Sequence, residues 1–163
     1  MRHTISVRVN GIDELQEVEP HLSLLTFLRD TLGLTGAKEG CNEGECGSCM
    51  ILFDGTPVNA CLTLAVEADG HEITTIEGVG DAKHLHPLQS AFLKHHAVQC
   101  GFCTPGMIMT TIGLLRENPD PSEHEIKVAL AGNLCRCTGY RQIIEAIQEG
   151  AAVLRTEKGS EQP

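Results

Sequence analysis

At 163 residues the chain is long enough to bury a core of its own but short for an enzyme that carries a large cofactor. Lys and Arg number 12 against 22 Asp and Glu, and the formal net charge of −10 opposes binding to nucleic acid or anionic membranes through a basic face. Met1 to Asn10 hold no apolar run fit for a signal peptide or a membrane span. The expectation is a cytoplasmic chain, in which a reducing medium favours metal-binding or catalytic thiols over four disulfides among the 8 cysteines.

Ile5, Val7 and Val9 alternate with polar residues and predict a half-buried strand. Asn10-Gly11 tolerates the positive φ of a two-residue turn, so Ile12 to Val18 is expected to return as a second strand. Ser23 is placed to cap a helix bearing Leu24, Leu25, Phe27, Leu28 and Leu32, with a staple between Leu22 and Phe27 and a stop at Gly33. From Gly36 to Cys49 the run of glycines between cysteines cannot be a regular element and reads as a functional loop. Met50 to Phe53 and Pro57 to Asn59 flank Asp54-Gly55 as a second hairpin, and Ile73 to Ile76 reads as a closing strand.

Glu77 to His86 shows no periodicity and marks the boundary between a first domain, 1–79, and a second, 80–156. The second half reads as four helices. Pro87 opens one; Thr104 caps and Pro105 opens the next; the capping box Ser122-x-x-Glu125 starts a third that ends at Gly132-Asn133; Thr138 caps a fourth with Ile143, Ile147, Ala151 and Leu154. Residues 157–163 are polar and expected to be a disordered tail. The fold class is α+β, a sheet half followed by an all-α half.

Two sets of cysteines carry the chemistry. Cys41-x4-Cys46-x2-Cys49 with Cys61 downstream is the spacing of plant-type 2Fe-2S centres, and the intervening glycines let backbone N–H groups approach the sulfurs. Zinc is the competing reading, weakened because Cys61 stands without a second knuckle. Cys100-x2-Cys103 and Cys135-x-Cys137 form the second set, for which zinc stays open on spacing alone. In an up-down bundle the loops holding these two pairs fall at one end, beside the N-termini of the second and fourth helices, whose free N–H groups favour an anionic centre. A redox-active first set argues for a redox-active second one, and two centres in one chain suggest an electron relay.

Other candidates are weaker. His84, His86, His95 and His96 read as surface histidines, since both sets are complete in cysteine. Glu39, Glu43 and Glu45 form a solvated rim or a docking surface, and Arg136 receives no role. No catalytic triad, phosphate loop or H-E-x-x-H helix is present.

Cys41-Asn-Glu-Gly-Glu-Cys46-Gly-Ser-Cys49, Gln99-Cys-Gly-Phe-Cys-Thr-Pro-Gly-Met107 and Gly132-Asn-Leu-Cys-Arg-Cys-Thr-Gly-Tyr140 resemble the iron-sulfur subunit of the xanthine oxidase family of molybdenum hydroxylases. The resemblance implies a β-grasp ferredoxin domain followed by a four-helix-bundle domain. Each would hold one 2Fe-2S cluster, on Cys41, Cys46, Cys49 and Cys61 and on Cys100, Cys103, Cys135 and Cys137 respectively. It also implies a large partner subunit carrying a molybdopterin cofactor, a medium one carrying FAD, and a dimer of heterotrimers. Electrons would pass from molybdenum through both clusters to flavin, with Gln99 and Cys137 against the pterin. The alternative is a free-standing two-cluster carrier. Substrate choice would lie on the large subunit.

Overall fold

The computed structural model describes residues 2–160. Strands β1 (His3–Val9) and β2 (Ile12–Val18) pair antiparallel, Val9 opposite Ile12, around a turn in which Asn10 and Gly11 take φ of 51° and 81°. Both residue types tolerate the left-handed region that this tight turn needs. Asn10 also ties the turn to the interior: its Oδ1 accepts from the Thr75 N–H at 2.8 Å and its Nδ2 donates to Thr75 Oγ1 at 2.9 Å.

Ser23 caps α1 (Leu24–Thr26), its Oγ accepting from the Thr26 N–H at 3.1 Å. The helix is shorter than its apolar pattern predicts. It widens over Phe27–Thr31 into one π-type turn, with the Leu32 N–H reaching back to the Phe27 carbonyl at 3.1 Å, and Gly33 ends it at φ 71°. The widening keeps Leu24, Leu25, Phe27 and Leu28 buried against the sheet.

Strands β3 (Met50–Phe53) and β4 (Thr56–Asn59) form the second hairpin, and β5 (Glu72–Thr74) completes a five-stranded sheet of order β2-β1-β5-β3-β4. Among the described residues only β1 and β5 run parallel. The closing strand ends earlier than predicted. Thr75 leaves the ladder to meet Asn10, and Ile76–Gly78 curls into a 3₁₀ turn.

Four helices follow: α2 (Pro87–Lys94), α3 (Thr104–Glu117), α4 (Glu123–Ala129) and α5 (Arg141–Ser160). The α4 capping box is present in full, Glu125 N–H to Ser122 Oγ at 3.3 Å and Ser122 N–H to Glu125 Oε2 at 2.7 Å. Two expected caps are not. Thr104 is itself the first helical residue of α3 and its buried Oγ1 lacks a partner, while Cys103 occupies the cap position. Thr138 lies three residues before α5, where its Oγ1 accepts from the Tyr140 N–H at 3.2 Å and faces a cysteine instead of a helix end. A cap absent from the sequence reading takes over at α2, where His86 Nδ1 accepts from the Leu88 N–H. Helix α5 runs through Ser160, so the described part of the expected tail is helical; residues 161–163 lie outside the described residues.

The core has two parts, one between sheet and α1 and one among the helices around Leu88, Phe92, Met107, Ile126, Ile143 and Ile147. Helix α2 packs along α5, and α3 lies against β3 and β4. A Cβ added at Gly113 of α3 would collide with the Pro57 ring of β4, so glycine is what lets helix and strand approach. No helix among the described residues is long and apolar enough to cross a membrane.

Candidate metal centres

All eight cysteines are free thiols, and their side chains lie in two groups of four. The first is built on the loop between α1 and β3 and on the residue just beyond β4. Asn42, Gly44 and Gly47 of that loop take positive φ, which curls it around Cys41 and Cys46. Within the set the Cys41 thiol feels Cys46, and Cys49 feels both Cys61 and Cys46. Cys41 Sγ accepts from the Glu43 N–H at 3.4 Å. That N–H, joined by the N–H of Cys46, brings the Cys41 thiol down to about 7. Burial pushes Cys49 up to about 12, because a thiolate there has lost its water.

The second set joins the turn before α3 to the turn before α5. Cys100 and Cys137 Sγ atoms lie 3.5 Å apart, and Cys103 hydrogen-bonds with Cys135. These four residues, with Phe102, Leu134 and Arg136, line a cavity of about 150 Å³. Burial and the bond with Cys135 push Cys103 up to about 12. Burial raises Cys135 too, but the hydroxyl and N–H of Thr138, at 3.2 and 3.5 Å from its sulfur, bring it below the ordinary thiol value.

Tyr140 frames this turn. At φ 70° its ring folds back, so that Oη donates to the Asn133 carbonyl and accepts from the Cys135 N–H, both at 2.8 Å.

The two sets touch through main chain. The Leu134 N–H donates to the Cys46 carbonyl at 2.9 Å. Beside it, Asn133 Nδ2 donates to the Gly47 carbonyl at 3.1 Å, and Thr110 Oγ1 donates to Asn133 Oδ1 at 2.9 Å. A Cβ at Gly106 would strike the Gly47 carbonyl, and one at Gly47 would strike the Gly132 carbonyl. Three backbones therefore cross in contact.

The donor chemistry suits an anionic metal centre: four soft sulfur ligands per set, with backbone N–H groups aimed at sulfur. Among the described residues no three His, Cys, Asp or Glu side chains are placed to hold a single ion.

The remaining candidates lie apart. Gln99 is exposed next to Cys100, and Arg136 is exposed on the cavity rim. Glu39, Glu43 and Glu45 are exposed around the first loop. His84 pairs with Asp81, His86 caps α2, His95 is half-buried against Glu149, and His96 is exposed. Sequence reading missed Asn133, Thr110 and Tyr140 as parts of the site. Gly132-Asn133 reads as a helix stop, and only burial of an amide inside a cysteine motif hints at more.

A family profile described as "2Fe-2S iron-sulfur cluster binding domain" matches residues 7–74, and one described as "[2Fe-2S] binding domain" matches residues 75–148. The nicotinate dehydrogenase small FeS subunit of Eubacterium barkeri is 51% identical over 145 residues, 89% of this chain and 92% of that one. The nicotine 6-hydroxylase small subunit of Paenarthrobacter nicotinovorans is 47% identical over 158 residues, 97% and 95% of the two chains. Among solved structures, a chain of quinoline 2-oxidoreductase from Pseudomonas putida 86 superposes with a TM-score of 0.91 at 49% identity, covering 97% of this chain and 98% of that one.

Proposed function

The chain belongs to the iron-sulfur subunits of the xanthine oxidase family of molybdenum hydroxylases, and from that membership we propose how it works as an electron-transfer subunit. The sheet half, 1–79, is a β-grasp ferredoxin domain, and the half from 80 to 156 is a four-helix domain. Cys41, Cys46, Cys49 and Cys61 hold one 2Fe-2S centre. Cys100, Cys103, Cys135 and Cys137 hold the other. Each centre, when bound, takes up and releases one electron at a time.

The observation that carries the reading is the arrangement of the thiols: two sets of four, joined by the hydrogen bond from Leu134 N–H to the Cys46 carbonyl. That bond and the chain from Leu134 to Cys135 give the electron a covalent and hydrogen-bonded route between sets. Electrons enter at the second set, where Cys100 and Cys137 are exposed beside exposed Phe102 and Leu134. They leave from the first.

On this reading a large subunit brings a molybdopterin cofactor to Gln99 and Cys137, and a medium subunit brings FAD towards the rim of Glu39, Glu43 and Glu45. The assembly is a dimer of heterotrimers working in the cytoplasm, where eight unpaired thiols stay reduced. Relatives of comparable similarity are named for nicotinate, nicotine and caffeine. Substrate is accordingly chosen on the large subunit.

Anaerobic isolation of the chain from its host tests the proposal. Molybdenum and flavin should accompany it, with about four irons per chain and no stoichiometric zinc. A chain that always isolates alone with four irons is a free-standing two-cluster carrier, which defeats the subunit reading. Stoichiometric zinc in the second set defeats the relay.

A further inference from the structure

Asn133 is 2% exposed, one of few polar side chains buried in the fold, and both ends of its amide are spent on the junction between the two thiol sets. Its Nδ2 takes the Gly47 carbonyl and its Oδ1 is held by Thr110 Oγ1 from helix α3. The next residue, Leu134, gives its N–H to the Cys46 carbonyl. Two successive carbonyls of the first loop are thus gripped by two successive groups of the second, one from a side chain and one from the backbone. A single hydrogen bond between loops fixes a distance; two side by side also fix register and angle. The Gly47 carbonyl, which can only accept, turns the amide nitrogen towards itself, and Thr110 donates to the oxygen on the other side.

We propose that Asn133, seated by Thr110, is a positioning residue for electron transfer between the two centres, because it holds the Leu134 N–H against the Cys46 carbonyl. The proposal rests on the reading that each set carries a 2Fe-2S centre. In the step one centre loses one electron and the other gains it, with no bond made or broken and no proton moved. Loss of the amide would leave the Gly47 carbonyl only the longer bond from the Met50 N–H at 3.3 Å and would take the acceptor from the Thr110 hydroxyl, so the side-chain half of the grip between the loops is lost.

The test uses the complex as isolated from its host, bearing Asn133→Ala, Thr110→Val or Thr110→Ser. Iron content and the midpoint potential of each centre are measured first. Electron equilibration between centres is then followed after flash photoreduction, and the magnetic interaction between them by electron paramagnetic resonance of the fully reduced protein. Asn133→Ala should slow equilibration about tenfold, the scale on which small misplacement slows a step that depends on geometry. The magnetic splitting should shrink while both potentials stay in place. Thr110→Val should do the same more weakly, and Thr110→Ser should restore the wild-type rate, because it keeps the hydroxyl.

An unchanged rate and splitting in variants that retain both centres overturns the proposal. So does loss of a centre in Asn133→Ala and Thr110→Val alike, which would make these residues assembly elements only. A wild-type chain with a single iron-sulfur centre would instead overturn the underlying relay.

Discussion

Cys49 lies 3% exposed beneath a glycine-rich loop, whereas Cys100 and Cys137 stand at the surface with the side chains of Phe102 and Leu134 around them. Three cysteines of the first set sit on one continuous loop, so their arrangement comes from local backbone turns at Asn42, Gly44 and Gly47, and only Cys61 arrives from beyond β4. The second is assembled from two turns far apart in the chain and needs a frame of its own, which Tyr140 and Thr138 supply. A centre made by a loop is legible in local spacing. A centre made by helix ends depends on the packing that brings those ends together.

The largest expected effect is loss of one centre at a time. Cys61→Ser should lower iron from about four to about two per chain and remove one electron paramagnetic resonance signal, leaving the second set intact. Cys103→Ser should do the reverse. Loss of both signals with the fold retained would break the division into two sets.

Next comes the junction between them. Gly106→Ala forces a methyl group into the Gly47 carbonyl and should cost about 1–3 kcal/mol, a fall in melting temperature of roughly 2–4 °C per kcal/mol. Gly132→Ala, where an added Cβ meets nothing within 4 Å, should change stability by less than about 0.5 kcal/mol. Equal effects in thermal unfolding would show that the backbone crossing is not tight.

Thr138→Val sharpens the contrast in tuning. It removes a hydroxyl 3.2 Å from Cys135 Sγ that favours the more negative, reduced centre. Potentiometric titration should find the second centre lowered by about 20–60 mV, the one-electron equivalent of a hydrogen bond worth about 0.5–1.5 kcal/mol, with the first centre unmoved.

The smallest effect lies away from both sets, at Glu149 of α5. Hydrogen bonds from Lys94 and then His95, on α2 and at its end, hold its pKa below the ordinary 4.5. A carboxylate with a depressed folded pKa stabilises the fold above its unfolded value, and that stability is lost as pH falls through the folded one. Glu149→Gln should therefore flatten the acid side of the stability profile below about pH 4.5 and leave both centres' spectra unchanged.

These positions also show what the sequence makes readable. Alternation at Ile5, Val7 and Val9 and the Asn10-Gly11 turn are local signals, and each lands where expected. Thr104 and Thr138 carry the residue type of a helix cap yet do not cap: Thr138 lies three residues ahead of α5, and Thr104 is already helical behind a cap position whose backbone is not extended. Cys103, in the cap position, has φ −80° and ψ −18° instead. The short α1 and the early end of β5 follow from tertiary contacts, the sheet below one and Asn10 beside the other. Asn133 was illegible for a related reason: an amide's value is decided by a carbonyl 86 residues away in sequence. Spacing placed the sulfurs, but it held nothing about the groups that lock the two loops together.

The contact between Leu134 and Cys46 has a consequence for how the molecule comes apart. Because the joint is made of main-chain atoms and a buried amide, neither half presents a finished surface without the other. Pulled apart, the halves would leave the Cys46 carbonyl and the Leu134 N–H without each other, and Asn133 Nδ2 without the Gly47 carbonyl. Two halves of different architecture are thereby expected to melt in one cooperative transition.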